Sequence, residues 1–522
     1  MALALVLLPS ACSRPRVIER EGGTLVLAMP GSLAVLDPHR APAENPMLRA
    51  VYDTLLTMGP DSAIEPGLAE SWTVAADGLR VDLELRQGVV FHDGSKLDGL
   101  VVTRNLERIM AGDVAQFPIK RLLGPLREVS AAGLKVSLHF ERPFPPVFSA
   151  LADARLGLIS AGSLAATESA EGPLAERVVG TGPYALAAAA PGVVDLVQNA
   201  LYAWPPPRAV NPGAPYPEGI QVVFVDAAAE GTADAAEGPG GFDLIWWPAG
   251  EPLPEDLDRQ SAGWRTESWG GERMVYLAPL GAGGPFVEPA VREALASAVD
   301  REAVAAGLPW PAAPATYLLP PGVPGHLAGD PPGSSAAAAR DALDGAGWVR
   351  DEDGQRRRGG EHLEVRLATY EGDEVFAALA ENVRGSLGAL GVTCRLVPPR
   401  RALQPGLVGG APNLWLLYYE WPDPDVLYYL LHSSQVGQAN RAAYRNDAVD
   451  QLLFQARGEM DDKARSELYQ RVQRQIAEDT ALIPLAAAMG QVRVGPDVVD
   501  YRPTDRRFLW LGDLYLRGEA RR

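Results

Sequence analysis

The residues from His362 to Pro398 switch apolar period twice, and no other feature of the chain constrains its fold so tightly. "HLEVRLATY" alternates as a strand does, "VFAALAENVRGSLGALGV" carries apolar residues at helical spacing, and "VTCRLVP" returns to alternation until proline stops it. Strand, helix and strand in that order make a βαβ unit, which favours parallel pairing.

The same interleaving recurs along the chain. "GTLVLAMP" reads as a strand, and "MLRAVYDTLLTM" has helical spacing through Leu48, Val51, Leu55 and Met58. "LRVDLELRQGVVFHDG" alternates at Leu79, Val81, Leu83 and Leu85, "LVVTRNLERIM" is helical, and "LKVSLHFERP" is a strand closed by proline. "PAVREALASAVDREAVAAGL" predicts one continuous helix through Val291, Leu295, Val299 and Val304. "SSAAAARDALDGAGW" predicts a helix with a serine cap and a glycine stop. "DKARSELYQRVQRQIAED" is amphipathic, with its apolar stripe through Leu468, Val472 and Ile476. Interleaved helices and strands place the chain in the α/β or α+β class.

A chain of 522 residues is too long for one hydrophobic core and is expected to divide into two or three domains. The formal net charge of −19 argues against nucleic acid as a partner and favours cationic or neutral ligands. Cys12 and Cys394 are too few for a disulfide framework or a zinc site, and the six histidines are scattered without metal-ligand spacing. No metal or cofactor is expected. Cys394, in a strand-like run, reads as an inert buried thiol. "GTGPY" (Gly180–Tyr184) lacks the spacing of a phosphate cradle and reads as a tight turn.

The stretch Asn413–Leu431, "NLWLLYYEWPDPDVLYYLL", sets Glu420, Asp423 and Asp425 in an otherwise almost wholly aliphatic and aromatic run. Ionised carboxylates in such surroundings need water or a cation. In one reading Pro424 ends the strand and leaves Asp423 at a rim, beside Tyr418, Tyr419 and Trp421. In the other, Pro424 opens a helix that Asp423 caps. Asp425 suits the helix start, and Glu420 fits either role. Trp246 and Trp247, in "FDLIWWP", are further candidates to stack on a ligand.

The order of these segments resembles the family-5 extracellular solute-binding proteins, the peptide and nickel type that feed ABC importers. The likeness runs from about Gly23 to Pro503 through "LDPHR", "VYDTLLTM", "EPGLAESWTVAADGLRVDLELRQGVVFHDGSKL" (Glu65–Leu97) and "GTGPY". It continues through "VREALASAVDRE", "DALDGAGW", "YYEWPDPD" (Tyr418–Asp425), "YRNDAVDQLL" and "IPLAAA". The resemblance implies a two-lobed, periplasmic-binding-protein-like fold of class II, with an extra subdomain in the first lobe and a ligand enclosed between lobes. It implies a first-lobe core from 23–48, 180–270 and 480–522, a peripheral subdomain at 49–179, and a second lobe at 271–479. The chain would cross near Gly270 and return near Asp479. In peptide-binding relatives the aspartate of the "DP" pair takes the ligand's α-ammonium, which here assigns that role to Asp423; the neighbouring Tyr418, Tyr419 and Trp421 would wall it, and Trp246 and Trp247 could stack on ligand side chains. Relatives that bind dipeptides often place an arginine before the "ALGV" helix. Here Glu371, Asp373 and Glu374 stand there, so a dipeptide carboxylate loses that partner unless Arg400 and Arg401 supply it.

The apolar run "MALALVLLPSAC" is too short to span a bilayer and resembles an export signal ending in a bacterial lipobox, with Cys12 as the lipidated residue. Residues 1–22 then form signal and linker. The expected partners are a small-molecule or peptide ligand, ABC permease subunits and the membrane through the lipid anchor. The protein itself would be monomeric and periplasmic or at the cell surface. An enzyme is the main rival: Glu420 and Asp423 could be a glycosidase pair, but three residues apart with Pro422 between they are badly placed to flank a sugar. GxSxG, HExxH and Walker motifs do not occur. A lipoprotein with a degenerate cleft, used for sensing or docking, is the other alternative.

Overall fold

The computed structural model describes residues 23–41, 44–59, 63–113, 118–169, 177–225, 241–329, 335–399, 411–502 and 510–517. Two long strands organise it. Arg265–Pro279 and Ile483–Val494 pair antiparallel along their length and lie in the middle of an 11-stranded sheet. Beyond Ile483–Val494 follow Leu244–Trp247, Thr24–Pro30, Gly219–Val225, Val193–Gln198 and Tyr184–Ala190. Beyond Arg265–Pro279 follow Leu414–Glu420, Glu364–Ala368 and Thr393–Leu396. The two flanks form two lobes that share the long central pair.

Side chains alternate between the faces of this sheet, and each lobe therefore builds a core on both sides. In the second lobe Val275 and Leu277 enter one cluster, while Met274, Tyr276 and Ala278 enter another. In the first lobe Leu27 and Met29 face one core and Ala28 the other. The βαβ unit forms as its periods require: Glu364–Ala368 and Thr393–Leu396 pair in parallel, joined by the helix Glu374–Ala389, which Asp373 caps by accepting the Phe376 amide at 3.0 Å.

A four-stranded antiparallel sheet, ordered Ala69–Val74, Arg80–Leu85, Lys135–Phe140 and Leu126–Ala132, carries the peripheral subdomain. Its own core runs from Leu55 to Leu158 and adds Val179. Two motifs tie it to the first lobe. The His92 amide donates to Gly180 O at 2.9 Å, and its Nε2 lies 3.0 Å from Gly182 O. Asp53 accepts from Thr181 Oγ1 at 2.9 Å, Trp204 Nε1 at 2.8 Å and Tyr202 Oη at 3.1 Å. Burial holds the Asp53 carboxyl above its usual range, against those three hydrogen bonds. The "GTGPY" turn is thus an anchoring point of the architecture.

Two local expectations change. The helix expected over "MLRAVYDTLLTM" ends at Val51, and Leu56–Met58 is a strand, because Ile64–Pro66 offers it a pairing partner. The continuous helix through Val299 is two helices, Pro289–Ala298 and Arg301–Ala306, since Asp300 turns extended and caps the second through the Ala303 amide. Ile483–Val494 begins shortly after Asp479, which closes the helix Asp462–Asp479.

Candidate functional site

The pairing of the two long strands slips between Gly270 and Met274, opposite Ala487–Met489. Side chains would not fit at three glycines around the slip. A Cβ on Gly270 would meet Pro321, one on Gly271 would overlap Ala249 Cβ, and one on Gly490 would overlap the Trp269 indole. The first charged side chains beyond this glycine-packed crossing are those of Glu272 and Arg273.

Arg273 bridges the lobes. Its Nη1 donates to Gly250 O of the first lobe at 2.6 Å, while Nε and Nη2 donate to Glu420 Oε2 at 3.0 and 2.9 Å. The guanidinium lies 5.2 Å from the Tyr418 ring centre and 5.4 Å from that of Trp310. Tyr418 in turn packs on Tyr370 at 5.1 Å and Phe376 at 5.4 Å. Glu420 and Tyr418 are two apart in one strand and share a face; Glu420 sits directly opposite Arg273 in the register.

Each of the three acidic residues in "YYEWPDPD" has its own arginine. Glu420 has Arg273; Asp423 has Arg465, at 2.6 and 2.9 Å; Asp425 has Arg457, at 2.8 Å. Asp423 is only 2% exposed and also accepts the Asp425 amide at 2.8 Å. Its counter-cation is therefore part of the protein, and the role of free ammonium anchor expected for Asp423 is corrected: burial without a partner would be too costly, and Arg465 is that partner. Asp425 is buried too. Desolvation pushes its carboxyl up to about 6, opposed first by Arg457 and reinforced by the neighbouring Asp423 charge. The Glu420 side chain, by contrast, is 45% exposed.

The aromatic candidates separate in the same way. Trp246 and Trp247 are 4% and 1% exposed, on opposite faces of their strand and in different cores, with Trp246 stacked on Trp269. They are structural, which corrects the ligand-stacking role. Tyr419 is likewise core, its hydroxyl bonded to Leu318 O. Tyr418 stays half-buried over Arg273, and Trp421 is half-buried between the second lobe and the peripheral subdomain core. Cys12, Arg400 and Arg401 lie outside the described residues.

Arg273, Trp310 and Tyr370 went unread in the sequence. Arg465 left a signal there: it stands three residues before Leu468 on the apolar stripe of its helix, where a charge must be buried and so must be paired. Arg273 followed the Gly270–Gly271 pair at the expected crossing.

The model for the bacterial extracellular solute-binding proteins, family 5 Middle, matches residues 63–439. The chain belongs to that family. Among relatives of this family-5 protein, protein XP55 of Streptomyces lividans is 27% identical over 498 residues, covering 92% of this chain and 87% of that one. The glutathione-binding protein GsiB of Salmonella typhimurium is 25% identical over 503 residues, 92% of each chain. The crystal structure of a nickel ABC transporter protein from Bacillus halodurans superposes with a TM-score of 0.77 at 20% identity, covering 95% of this chain and all of that one, a likeness of fold. The family consists of solute-binding proteins rather than enzymes. Among the described residues, no helix is long and apolar enough to cross a membrane.

Proposed function

We propose that the chain is the solute receptor of an ABC importer, exported and held at the membrane through a lipid on Cys12, which delivers a peptide or related amine-bearing solute to the permease. The observation that carries this reading is the half-exposed Glu420–Arg273 pair, at the point where the second lobe touches Gly250 of the first. An ammonium group arriving at Glu420 replaces one cation by another, so the carboxylate is never left bare. The released Arg273 guanidinium then faces an oxygen of the same solute, with Tyr418 and Trp310 as flanking walls. Domain closure over the solute would present the loaded form to the membrane partner.

The name of the relative GsiB supports glutathione as a first probe, since that peptide carries both an ammonium and carboxylates. The enzyme alternative finds no support, because Glu420 and Asp423 are each committed to a separate arginine instead of facing a shared space. Calorimetric titration of glutathione into wild type and Glu420→Gln tests the reading. Affinity lost in the variant supports it; equal affinity removes Glu420 from the site.

A further inference from the structure

The joint between the peripheral subdomain and the first lobe closes on a single histidine. The His92 amide donates to Gly180 O at 2.9 Å, the Gly180 amide donates to His92 Nδ1 at 3.3 Å, and His92 Nε2 lies 3.0 Å from Gly182 O. An amide N–H only donates and a carbonyl only accepts, so Nδ1 is bare and Nε2 carries the hydrogen. One tautomer of the neutral ring meets both demands. A second proton, on Nδ1, would set an N–H of the ring against the Gly180 N–H. The turn itself is packed directly on the chain at Val51, where a Cβ on Gly180 or Gly182 would overlap the carbonyl.

The titratable neighbours act in different senses. Burial lowers the His92 pKa from its ordinary 6.5, against the Gly182 carbonyl and the Asp93 charge. Burial raises the Asp93 carboxyl, but bonds from Ser95 and Ser160 outweigh it and hold that group below its usual range. From the facing turn Thr181 brings Asp53, which also accepts from Trp204 and Tyr202 and is raised by burial. The subdomain reaches the other lobe as well: Trp421 and Met460 of the second lobe pack against its core. It therefore straddles the two lobes.

We propose that His92 is an acid-released clasp: one proton on Nδ1 opens the joint at the "GTGPY" turn and frees the first-lobe end of the subdomain, whose other end stays on Trp421 and Met460. The peripheral subdomain is then a strap across the lobes with one proton-operated end. This goes beyond the receptor reading and does not depend on which solute is bound. The contribution of the neutral ring is complete above about 6.5 and is lost as pH falls toward the lowered value of the folded joint. Asp53, being raised, acts in the opposite sense at lower pH, so the clasp is read as a difference between wild type and His92→Gln. Glutamine keeps a donor for Gly182 O and does not titrate.

Hydrogen exchange read by mass spectrometry, corrected for its intrinsic pH dependence, is followed over residues 88–97 and 178–184 in both proteins. In wild type the protection of these segments is expected to fall by up to about tenfold per pH unit below about 6.5, and in His92→Gln to stay level. Residues 414–420, in the second lobe, are expected to keep their protection in both. The same pH profile in the two proteins, or protection lost from 414–420 together with the joint, overturns the clasp. Histidine ¹⁵N NMR of wild type reads the ring directly, whether or not the variant folds. A bare Nδ1 and a protonated Nε2 at pH 7.5 are expected; the other tautomer, or a ring already doubly protonated there, overturns it.

Discussion

Asp423 and Arg465 meet in a two-pronged ion pair, at 2.6 and 2.9 Å, with almost no solvent contact on either side. Its partner pair, Asp425 with Arg457, lies beside it, and Tyr469 Oη reaches Asp425 at 3.4 Å. Together they fasten the turn after Leu414–Glu420 to the helices Asp447–Gly458 and Asp462–Asp479.

Removing one partner strands the other charge in the core. Asp423→Asn is expected to destabilise the protein by about 3–5 kcal/mol, and Asp423→Leu/Arg465→Met together by much less than the sum of the single changes. Urea unfolding of wild type, Asp423→Leu, Arg465→Met and the double variant as a double-mutant cycle, with Asp423→Asn measured beside them, checks this. A cost below about 1 kcal/mol for Asp423→Asn would mean that the pair is dispensable.

The glycine-packed crossing gives a second expectation. Gly271→Ala drives its new methyl into Ala249 Cβ and the Ala488 carbonyl, and is expected to cost about 1–3 kcal/mol. Gly281→Ala, whose Cβ would meet only the Ala442 carbonyl at 3.5 Å, serves as the control. Thermal unfolding of both variants decides it; equal effects would contradict the packing argument.

Buried His39 makes stability depend on pH. Burial first, then the Arg108 charge, lower its pKa from 6.5 to about 3, with Asp37 opposing. The folded state thus keeps the ring neutral where the unfolded chain takes up a proton. The contribution is complete above about 6.5 and is lost as pH falls toward about 3. Between about pH 6.5 and pH 5 the loss is about 2 kcal/mol for this one group. Asp425, raised to about 6, acts in the opposite sense between about 6 and 3.8. The readout is therefore the difference between wild type and His39→Gln, whose urea midpoints are expected to converge as pH is lowered. Parallel curves would contradict the assignment.

Cys394 is expected to be a poor nucleophile, because burial pushes its thiol up to about 12. In a Cys12→Ser protein, iodoacetamide labelling at pH 8 is expected to be slow when folded and fast in urea. Equal rates would show the thiol to be accessible.

Much of the architecture was legible because period and capping are local properties. The βαβ unit, the Ser335 cap at 3.1 Å from the Ala338 amide, and the C-terminal amphipathic helix all follow from residues near one another in the chain. The misread segments depended on partners far away: Leu56–Met58 became a strand because of Ile64–Pro66. The site was less legible for the same reason. "YYEWPDPD" announced carboxylates needing cations, but their arginines stand 147 residues before Glu420 and 42 after Asp423. Tryptophans signal burial and binding alike, so Trp246 and Trp247 were indistinguishable from Trp421 until the sheet faces were known.

The most direct measurement is the calorimetric affinity of glutathione and of a mixed tripeptide pool, each with its amino group free or acetylated, for wild type and Glu420→Gln. The expected result is that one of the two binds wild type, and that either acetylation or Glu420→Gln weakens it about tenfold or more. Binding that is indifferent to both changes, or no binding of either probe, would contradict an ammonium held at Glu420 between the lobes.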